Sequence, residues 1–133
     1  MFEFIEGTFE EINPSYLVVN CSGVGFMVEI PLSSYAYFKN KEKGKVFLHQ
    51  IIREDAHLLF GFASKKERTL FRALISVNGV GANIARMMLS SLETDELIRA
   101  VVKEDIATIK SIKGIGLKTA QRLIIELKDN LSK

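Results

Sequence analysis

The sequence has one cysteine, Cys21, and only two histidines. A single cysteine cannot form a disulfide within the chain. It lies in the strand-like run Leu17–Cys21, which is typical of an ordinary strand or core position in a cytoplasmic protein. His49 and His57 lie apart from the cysteine and from paired carboxylates, which argues against a metal site or a catalytic site. We therefore expect no metal, no cofactor and no catalytic residue.

Long apolar runs are also missing. No stretch approaches the length of a membrane-spanning helix, so we expect no membrane association. The N-terminus, Met1–Glu6, is acidic and lacks the basic region and apolar run of a signal peptide. The composition is nevertheless 47% hydrophobic, which is enough for packed cores and argues against wholesale disorder.

The charges are distributed unevenly along the chain. Residues 1–62 contain 5 Lys and Arg against 8 Asp and Glu, a net charge of −3. Residues 63–133 contain 13 Lys and Arg against 8 Asp and Glu, a net charge of +5. This surplus favours a polyanionic partner for the C-terminal half.

The first half is rich in β-branched and aromatic residues interrupted by turns, which predicts a β domain over residues 1–63. The expected strands are Phe2–Glu11, Tyr16–Asn20, Gly25–Ile30, Lys45–Ile52 and His57–Phe62. Gly7 is a predicted bend, residues 31–38 a short helix, and residues 39–45 a charged loop. Five short strands with a helix after the third indicate an OB-fold β-barrel.

From Ser64 the apolar period becomes helical, and Ser64–Glu67 has the form of a capping box. Five helices are expected over residues 64–133, the third capped by Thr94–Glu96 and the fourth covering 106–112. Met87 and Met88 are interpreted as packing residues. The chain is thus predicted to be an α+β multidomain protein with an all-α second domain.

This helical half contains an internal repeat. Ser76–Ala85 and Ser111–Ala120 share a Ser, a β-branched residue, Gly, a β-branched residue, Gly, and Ala four positions later. Each copy predicts a helix, a tight hairpin and a second helix, with both glycines able to take positive φ. Val80 and Ile115, between the glycines, are expected to plug the turns into the apolar core.

The second helix of each hairpin begins with unpaired N–H groups at the positive end of its dipole, which together form an anion site. One such hairpin is weak evidence, but two indicate a paired helix-hairpin-helix unit that holds a nucleic-acid backbone without reading its sequence. A phosphate-binding P-loop at 116–119 is excluded, because Leu117 stands where Gly must precede Lys118.

The whole chain resembles the RuvA family of bacterial Holliday-junction-binding proteins. The stretches that carry this resemblance are Val24–Phe26, Arg53–Phe62, Glu67–Phe71, Asn78–Gly81, Lys113–Gly116 and Thr119–Ile124. The resemblance implies an OB-fold domain, a tandem helix-hairpin-helix domain and a homotetramer, or an octamer of two facing tetramers. It also implies a RuvB-type ATPase motor as partner, bound through a C-terminal third domain that we expect to be absent from this chain.

The resemblance gives roles to particular residues. Glu54 and Asp55, which by themselves read as a solvated hairpin tip, become an acidic pin at the tetramer centre that repels phosphates and helps to part strands. The expected DNA-phosphate-binding residues are Gly79, Gly81, Asn83, Arg86, Gly114, Gly116, Lys118, Thr119 and Arg122. Two departures occur: Ala82-Asn83 replaces a common Pro-Lys, and Leu117 replaces a common Lys.

The function expected from these features is non-catalytic: recognition of four-way junction DNA and support of branch migration by a partner ATPase in recombination and repair. Two alternatives remain open at this point. One is a general helix-hairpin-helix DNA-binding adaptor without junction preference. The other is a DNA repair glycosylase or nuclease, which would need a catalytic Asp at a base-sized pocket.

Overall fold

The computed structural model describes residues 1–131. It divides the chain into two units, Met1–Arg68 and the part from Thr69 onward. The first is a closed five-stranded β-barrel with one helix, and the second is helical. The predicted α+β class, a five-stranded barrel followed by helices, is confirmed.

The barrel strands follow the expected turns closely. They are β1 Phe4–Ile12, β2 Tyr16–Cys21, β3 Val24–Glu29, β4 Lys43–Ile52 and β5 His57–Phe62, with helix α1 (Leu32–Phe38) between β3 and β4. The strand order around the barrel is β1-β2-β3-β5-β4, and β1 pairs with β4 to close it. Neighbours are antiparallel except β3 and β5, whose parallel contact pairs Glu29 with Phe60. The side chains that fill the interior are Ile5, Leu17, Val19, Val28, Ile30, Phe38, Val46 and Leu48.

Strand β1 begins and ends later than the predicted Phe2–Glu11, and Gly7 makes a close contact within it. Gly7 pairs with Gly44 of β4, and a Cβ at Gly7 would overlap the carbonyl oxygen of Asn20 in β2. The glycine therefore allows close approach of neighbouring strands. The irregularity of β1 is a register shift between Phe9 and Glu11, where a bulge can bend a barrel strand.

The predicted charged loop at 39–45 is too long. Strand β4 already begins at Lys43, because Lys43, Gly44 and Lys45 pair with the middle of β1. Lys45 lies opposite Glu6, and its Nζ is 4.3 Å from the ring centroid of Phe4. The sequence Lys-Gly-Lys has no apolar residue to indicate a strand, so its pairing with β1 could not be predicted from the residue pattern.

Two oppositely charged residues tie the first turn of helix α2 (Lys65–Ile75) to the barrel unit. Glu67, 6% exposed, accepts hydrogen bonds from the Ser33 and Ser34 hydroxyl groups of α1. Its N–H donates to Ser64 Oγ at 3.2 Å, the N-cap contact of the predicted capping box. Glu67 therefore makes a local contact through its main-chain N–H and long-range contacts through its carboxylate.

Arg68 is equally buried. Its guanidinium donates to the main-chain oxygens of Glu3 (2.8 Å) and Leu48 (3.2 Å) and to the Glu3 carboxylate (2.8 Å). It also lies 5.6 Å from the ring centroid of Phe47. These contacts hold the N-terminal segment, β4 and the first turn of α2 together.

The helices of the second half are α2, α3 (Ala82–Ser91), α4 (Thr94–Val102), α5 (Ile106–Lys110) and α6 (Leu117–Leu131). The structure has five helices within residues 65–131, the number that the apolar period predicts. The buried positions include Leu70, Phe71, Leu74, Ala85, Met88, Leu89, Leu97, Val101, Ile109, Ala120, Leu123, Ile124 and Leu127. These are largely the predicted apolar faces. No helix within residues 1–131 is long and apolar enough to cross a membrane.

Two helix details differ from the predictions. Met88 is fully buried, but Met87 is 39% exposed because it lies on the opposite, polar face of α3. The N-cap of α4 is Glu93, which makes no side-chain cap bond, and Thr94 is the first helical residue. The predicted Thr94 cap is therefore wrong by one position.

Replacing Arg68 with Ala should lower the free energy of unfolding of the barrel by about 2–3 kcal/mol, because two main-chain carbonyls lose their charged donor. Tyr16, Tyr35 and Tyr37 are the three tyrosines, and the chain has no tryptophan. Tyrosine fluorescence in a urea titration therefore reports on the barrel.

The matched control is Lys65→Ala on the same helical turn, which removes a side chain 6.0 Å from the same Phe47 ring. This variant should stay within about 0.5 kcal/mol of the wild type. Equal denaturation midpoints for Arg68→Ala and Lys65→Ala would contradict the assigned role of Arg68.

Candidate nucleic-acid interface

The first glycine hairpin connects α2 to α3. Val77 N–H donates to Leu74 O at 3.1 Å, and Val80 N–H donates to Val77 O at 3.0 Å. Gly79 has φ +96°, a value that favours glycine. Val80 is 4% exposed, so the predicted plug is confirmed for this turn.

The second hairpin, between α5 and α6, repeats this geometry bond for bond. Ile112 N–H donates to Ile109 O at 3.2 Å, and Ile115 N–H donates to Ile112 O at 3.1 Å. Gly114 has φ +90°, and Ile115 is 5% exposed. The sequence repeat is therefore a structural repeat.

The two glycines within each turn have different roles. Only the first takes positive φ, whereas Gly81 is extended (φ −87°, ψ 176°) and is the N-cap of α3. The expectation that both glycines reverse the chain is wrong, because one left-handed residue completes the turn. A Cβ on Gly81 or Gly116 would meet no atom within 4 Å. Open space therefore lies beside each helix start.

The helix starts present free amides. The first helical bond of α3 runs from Ala85 N–H to Gly81 O (2.9 Å), and that of α6 from Ala120 N–H to Gly116 O (3.0 Å). The amides of residues 82–84 and 117–119 thus precede the first internal bond of their helix. Gly81 supplies no side-chain cap. An anion beside such a helix start gains both hydrogen bonds and the favourable end of the dipole.

The predicted phosphate-binding side chains lie on these same helices. Asn83 in the first turn of α3 and Lys118 in the first turn of α6 are exposed, whereas Thr119 and Arg86 are half-buried. Leu117, where the resembling family often has Lys, is 47% exposed. The position is therefore accessible but carries no charge.

Arg122 joins α6 to the first hairpin. Its guanidinium donates to the main-chain oxygen of Asn78 at 3.3 Å, across 44 positions of sequence. One guanidinium presents five N–H donors, so this contact leaves others for an anion. Arg122 thus lies where the two copies of the repeat approach one another.

Lys113 was missed by the sequence reasoning. It is exposed in the second turn, directly before Gly114, at the position that Asn78 occupies in the first. Aligning the two copies of the repeat would have drawn attention to this cation, because the glycines fix the register. It adds positive charge beside the start of α6.

Two polar contacts fix the helices around the second hairpin. Asp105 caps α5, accepting from Thr108 N–H (3.2 Å) and Thr108 Oγ1–H (2.6 Å), and these hydrogen bonds lower the pKa of its carboxyl group. Lys128 of α6 donates to Glu104 at 2.8 Å, and this hydrogen bond and charge pair raise the pKa of Lys128. Both contacts are exposed, so they orient the helices more than they stabilise them.

The acidic residues named by the resemblance form a two-residue hairpin tip between β4 and β5. Arg53 N–H donates to Ala56 O at 2.7 Å, and Ala56 N–H donates to Arg53 O at 3.4 Å. Glu54 and Asp55 lie between this closing pair, and both are exposed. The tip therefore projects two carboxylates from the end of the β4–β5 ladder.

The structural units carry opposite but modest charges. Residues 1–68 contain 8 basic and 9 acidic residues, a net charge of −1. Residues 69–133 contain 10 basic and 7 acidic residues, a net charge of +3. The asymmetry is smaller than the sequence halves indicated, since Lys65, Lys66 and Arg68 belong to the barrel unit. No cluster of His, Cys, Asp and Glu suited to a metal ion occurs within the part of the chain that is described.

Two family models match the chain. Residues 1–61 match the RuvA N-terminal domain, which corresponds to the barrel strands, and residues 71–129 match a SAM-like helix-hairpin-helix tandem, which contains both glycine hairpins. The order of the two matches is that of the two structural units.

Curated relatives cover the same region. The proteins named "Holliday junction branch migration complex subunit RuvA" from Christiangramia forsetii and Flavobacterium psychrophilum are 48% and 50% identical over the whole chain, which covers 69% of each relative. The protein of that name from Bacteroides fragilis is 47% identical over 98% of the chain and 65% of the relative. The chain thus spans about two thirds of the length of these relatives. At this identity and coverage, the chain belongs to the RuvA family.

Proposed function

We propose that this protein is a non-catalytic DNA-binding subunit that recognises four-way junctions, holds them open and supports branch migration by a partner ATPase. The observation that carries the proposal is the duplicated hairpin, in which the first internal hydrogen bond of each second helix runs back to a glycine, Ala85 N–H to Gly81 O and Ala120 N–H to Gly116 O. Such paired sites suit two phosphates of one backbone. The relatives are subunits of a Holliday junction branch migration complex by name, which supplies the junction and the complex in this proposal.

We propose a homotetramer, or two facing tetramers, as the working assembly, with a RuvB-type motor as its partner. A fourfold assembly matches the four arms of a junction, so that each protomer would hold one arm through its hairpins. The free thiol of Cys21, which has no cysteine partner in the chain, agrees with action in the cytoplasm.

The proposed phosphate ligands are the amides that follow Gly81 and Gly116, supported by the turns at Gly79 and Gly114. Side chains around them supply charge or hydrogen bonds; these are Asn83, Arg86, Lys113, Lys118, Thr119 and Arg122. Backbone amides would make many of the phosphate contacts, because Asn83 and Leu117 occupy positions where the family often has lysines. Contacts of this kind position DNA without reading bases.

Glu54 and Asp55 are the proposed pin. Their carboxylates stand at the end of a hairpin, and phosphates brought close to them would be repelled. In a fourfold assembly these charges would gather near the crossover. That arrangement discourages continuous duplex from crossing the centre and favours an open junction.

Changing Gly81 and Gly116 to Ala should weaken junction binding without affecting folding. The new methyl groups meet no protein atom, but they enter the space through which a phosphate approaches the amides. Loss of one hydrogen bond to a charged group corresponds to about 1.5 kcal/mol, or roughly tenfold in affinity. Gly25→Ala, in the barrel and also free of close contacts, is the matched control. Unchanged affinity in the double variant would place the phosphates elsewhere.

Lys118→Ala should reduce the salt dependence of binding. For every phosphate that the protein no longer neutralises, the slope of log K against log salt falls by about 0.9 on duplex arms. The control is Lys103→Ala at the end of α4, exposed and outside both hairpins. Titrations at several salt concentrations measure the slopes, and a Lys118→Ala slope equal to that of the wild type would mean that Lys118 contacts no phosphate.

Glu54→Gln combined with Asp55→Asn should raise affinity for linear duplex more than affinity for a junction. The substitutions preserve size and remove the repulsion of phosphate. Removing two exposed carboxylates elsewhere on the barrel, with Glu6→Gln and Glu42→Gln, controls for net charge. Paired binding measurements at low salt give the junction-to-duplex ratio. If the pin variant keeps the wild-type ratio, the tip is only a solvated turn, and a wild type without junction preference would indicate a general DNA-binding adaptor.

A further inference from the structure

The hairpin that carries Glu54 and Asp55 has a second exposed feature at its base. Ile52, the last residue of β4, is 60% exposed, and His57, the first residue of β5, lies directly opposite it in the register. Residues directly opposite in an antiparallel ladder project from the same face. An exposed aliphatic side chain and an exposed imidazole therefore lie side by side, separated from the acidic tip by the Arg53–Ala56 pair.

The cation of this hairpin lies on the other face. Arg53 and Ala56 form the closing pair, and side chains alternate between faces along each strand. The side chain of Arg53 thus starts from the face opposite to that of Ile52 and His57. That face presents an apolar surface and an imidazole, and neither strand of the hairpin places Lys or Arg on it between residues 52 and 57.

This combination does not suit a phosphate. The carboxylates of Glu54 and Asp55 have no ion-pair or hydrogen-bond partner within residues 1–131, and they repel a backbone that comes near. Nucleic-acid bases have the complementary chemistry. Their flat faces pack on apolar and aromatic side chains, and their amino groups donate to carboxylates.

We propose that Ile52 and His57 form a platform for a DNA base that has left its pair at the junction crossover. This inference rests on the proposed function, which brings the hairpin to the crossover. The acidic tip excludes the backbone, while the platform receives the face of the base. The binding is independent of sequence, because every base has a flat face.

A thermodynamic cycle tests the platform. Wild type and an Ile52→Ala, His57→Ala double variant are each titrated with a four-way junction and with the same junction lacking the bases next to the crossover. If the platform holds a base, removing the bases should weaken binding by the wild type about fivefold or more relative to its effect on the variant. Both side chains are exposed, so the variant should keep the wild-type urea midpoint by tyrosine fluorescence.

Met27→Ala is the matched control, since Met27 has the same 60% exposure on β3 of the same barrel. It should respond to base removal as the wild type does. A second readout places 4-thiothymine at the crossover, where irradiation should cross-link it to the β4–β5 hairpin of the wild type but not of the double variant.

The outcomes separate the two proposals. A wild type that prefers junction over duplex, but responds to base removal as the double variant does, overturns the platform alone. A wild type without junction preference overturns both the platform and the proposed function. Cross-links confined to other segments of the chain also overturn the platform.

Discussion

The helix starts proposed to bind phosphate depend on one backbone constraint, a single left-handed residue in each glycine hairpin. Gly79 at φ +96° and Gly114 at φ +90° each reverse the chain within a few residues. The apolar residue that follows each glycine, Val80 or Ile115, is therefore buried in the core. The helix that follows then starts beside open space, since a Cβ on Gly81 or Gly116 would meet no atom within 4 Å. A residue with a Cβ at the left-handed position would be strained, and the turn would lose its shape.

A second constraint works at the start of α2. Glu67 and Arg68 are adjacent, oppositely charged and buried, yet they bind different parts of the barrel unit rather than one another. Burial of a charge is tolerated only when hydrogen bonds replace its water. The Glu67 carboxylate and the two terminal nitrogens of Arg68 have such partners, whereas Arg68 Nε is buried without one within residues 1–131. Loss of any of these partners would leave a buried charge without compensation.

The proposed DNA contacts divide between two kinds of chemistry. Amides and cations at the hairpins attract phosphate without selecting a base, whereas the β4–β5 hairpin combines carboxylates with an exposed apolar and imidazole face. The first kind supplies affinity, which falls with salt. The second excludes the backbone, so it can act only where strands separate. A junction offers both environments, while a continuous duplex offers only the first.

Local patterns in the sequence determined the five strands, the helical faces and the repeat, because turn chemistry and apolar period act over a few residues. They also identified the hairpin glycines, and the family resemblance identified Glu54 and Asp55. Errors arose where neighbours in space changed a local preference: Lys43 joins β4 by pairing with Thr8, and Gly81 caps a helix instead of reversing the chain. Only the tertiary structure decided the long-range partners of Glu67, Arg68 and Arg122, which lie 20 to 65 positions away. Such contacts depend on where distant segments meet, and no periodicity in the sequence encodes that.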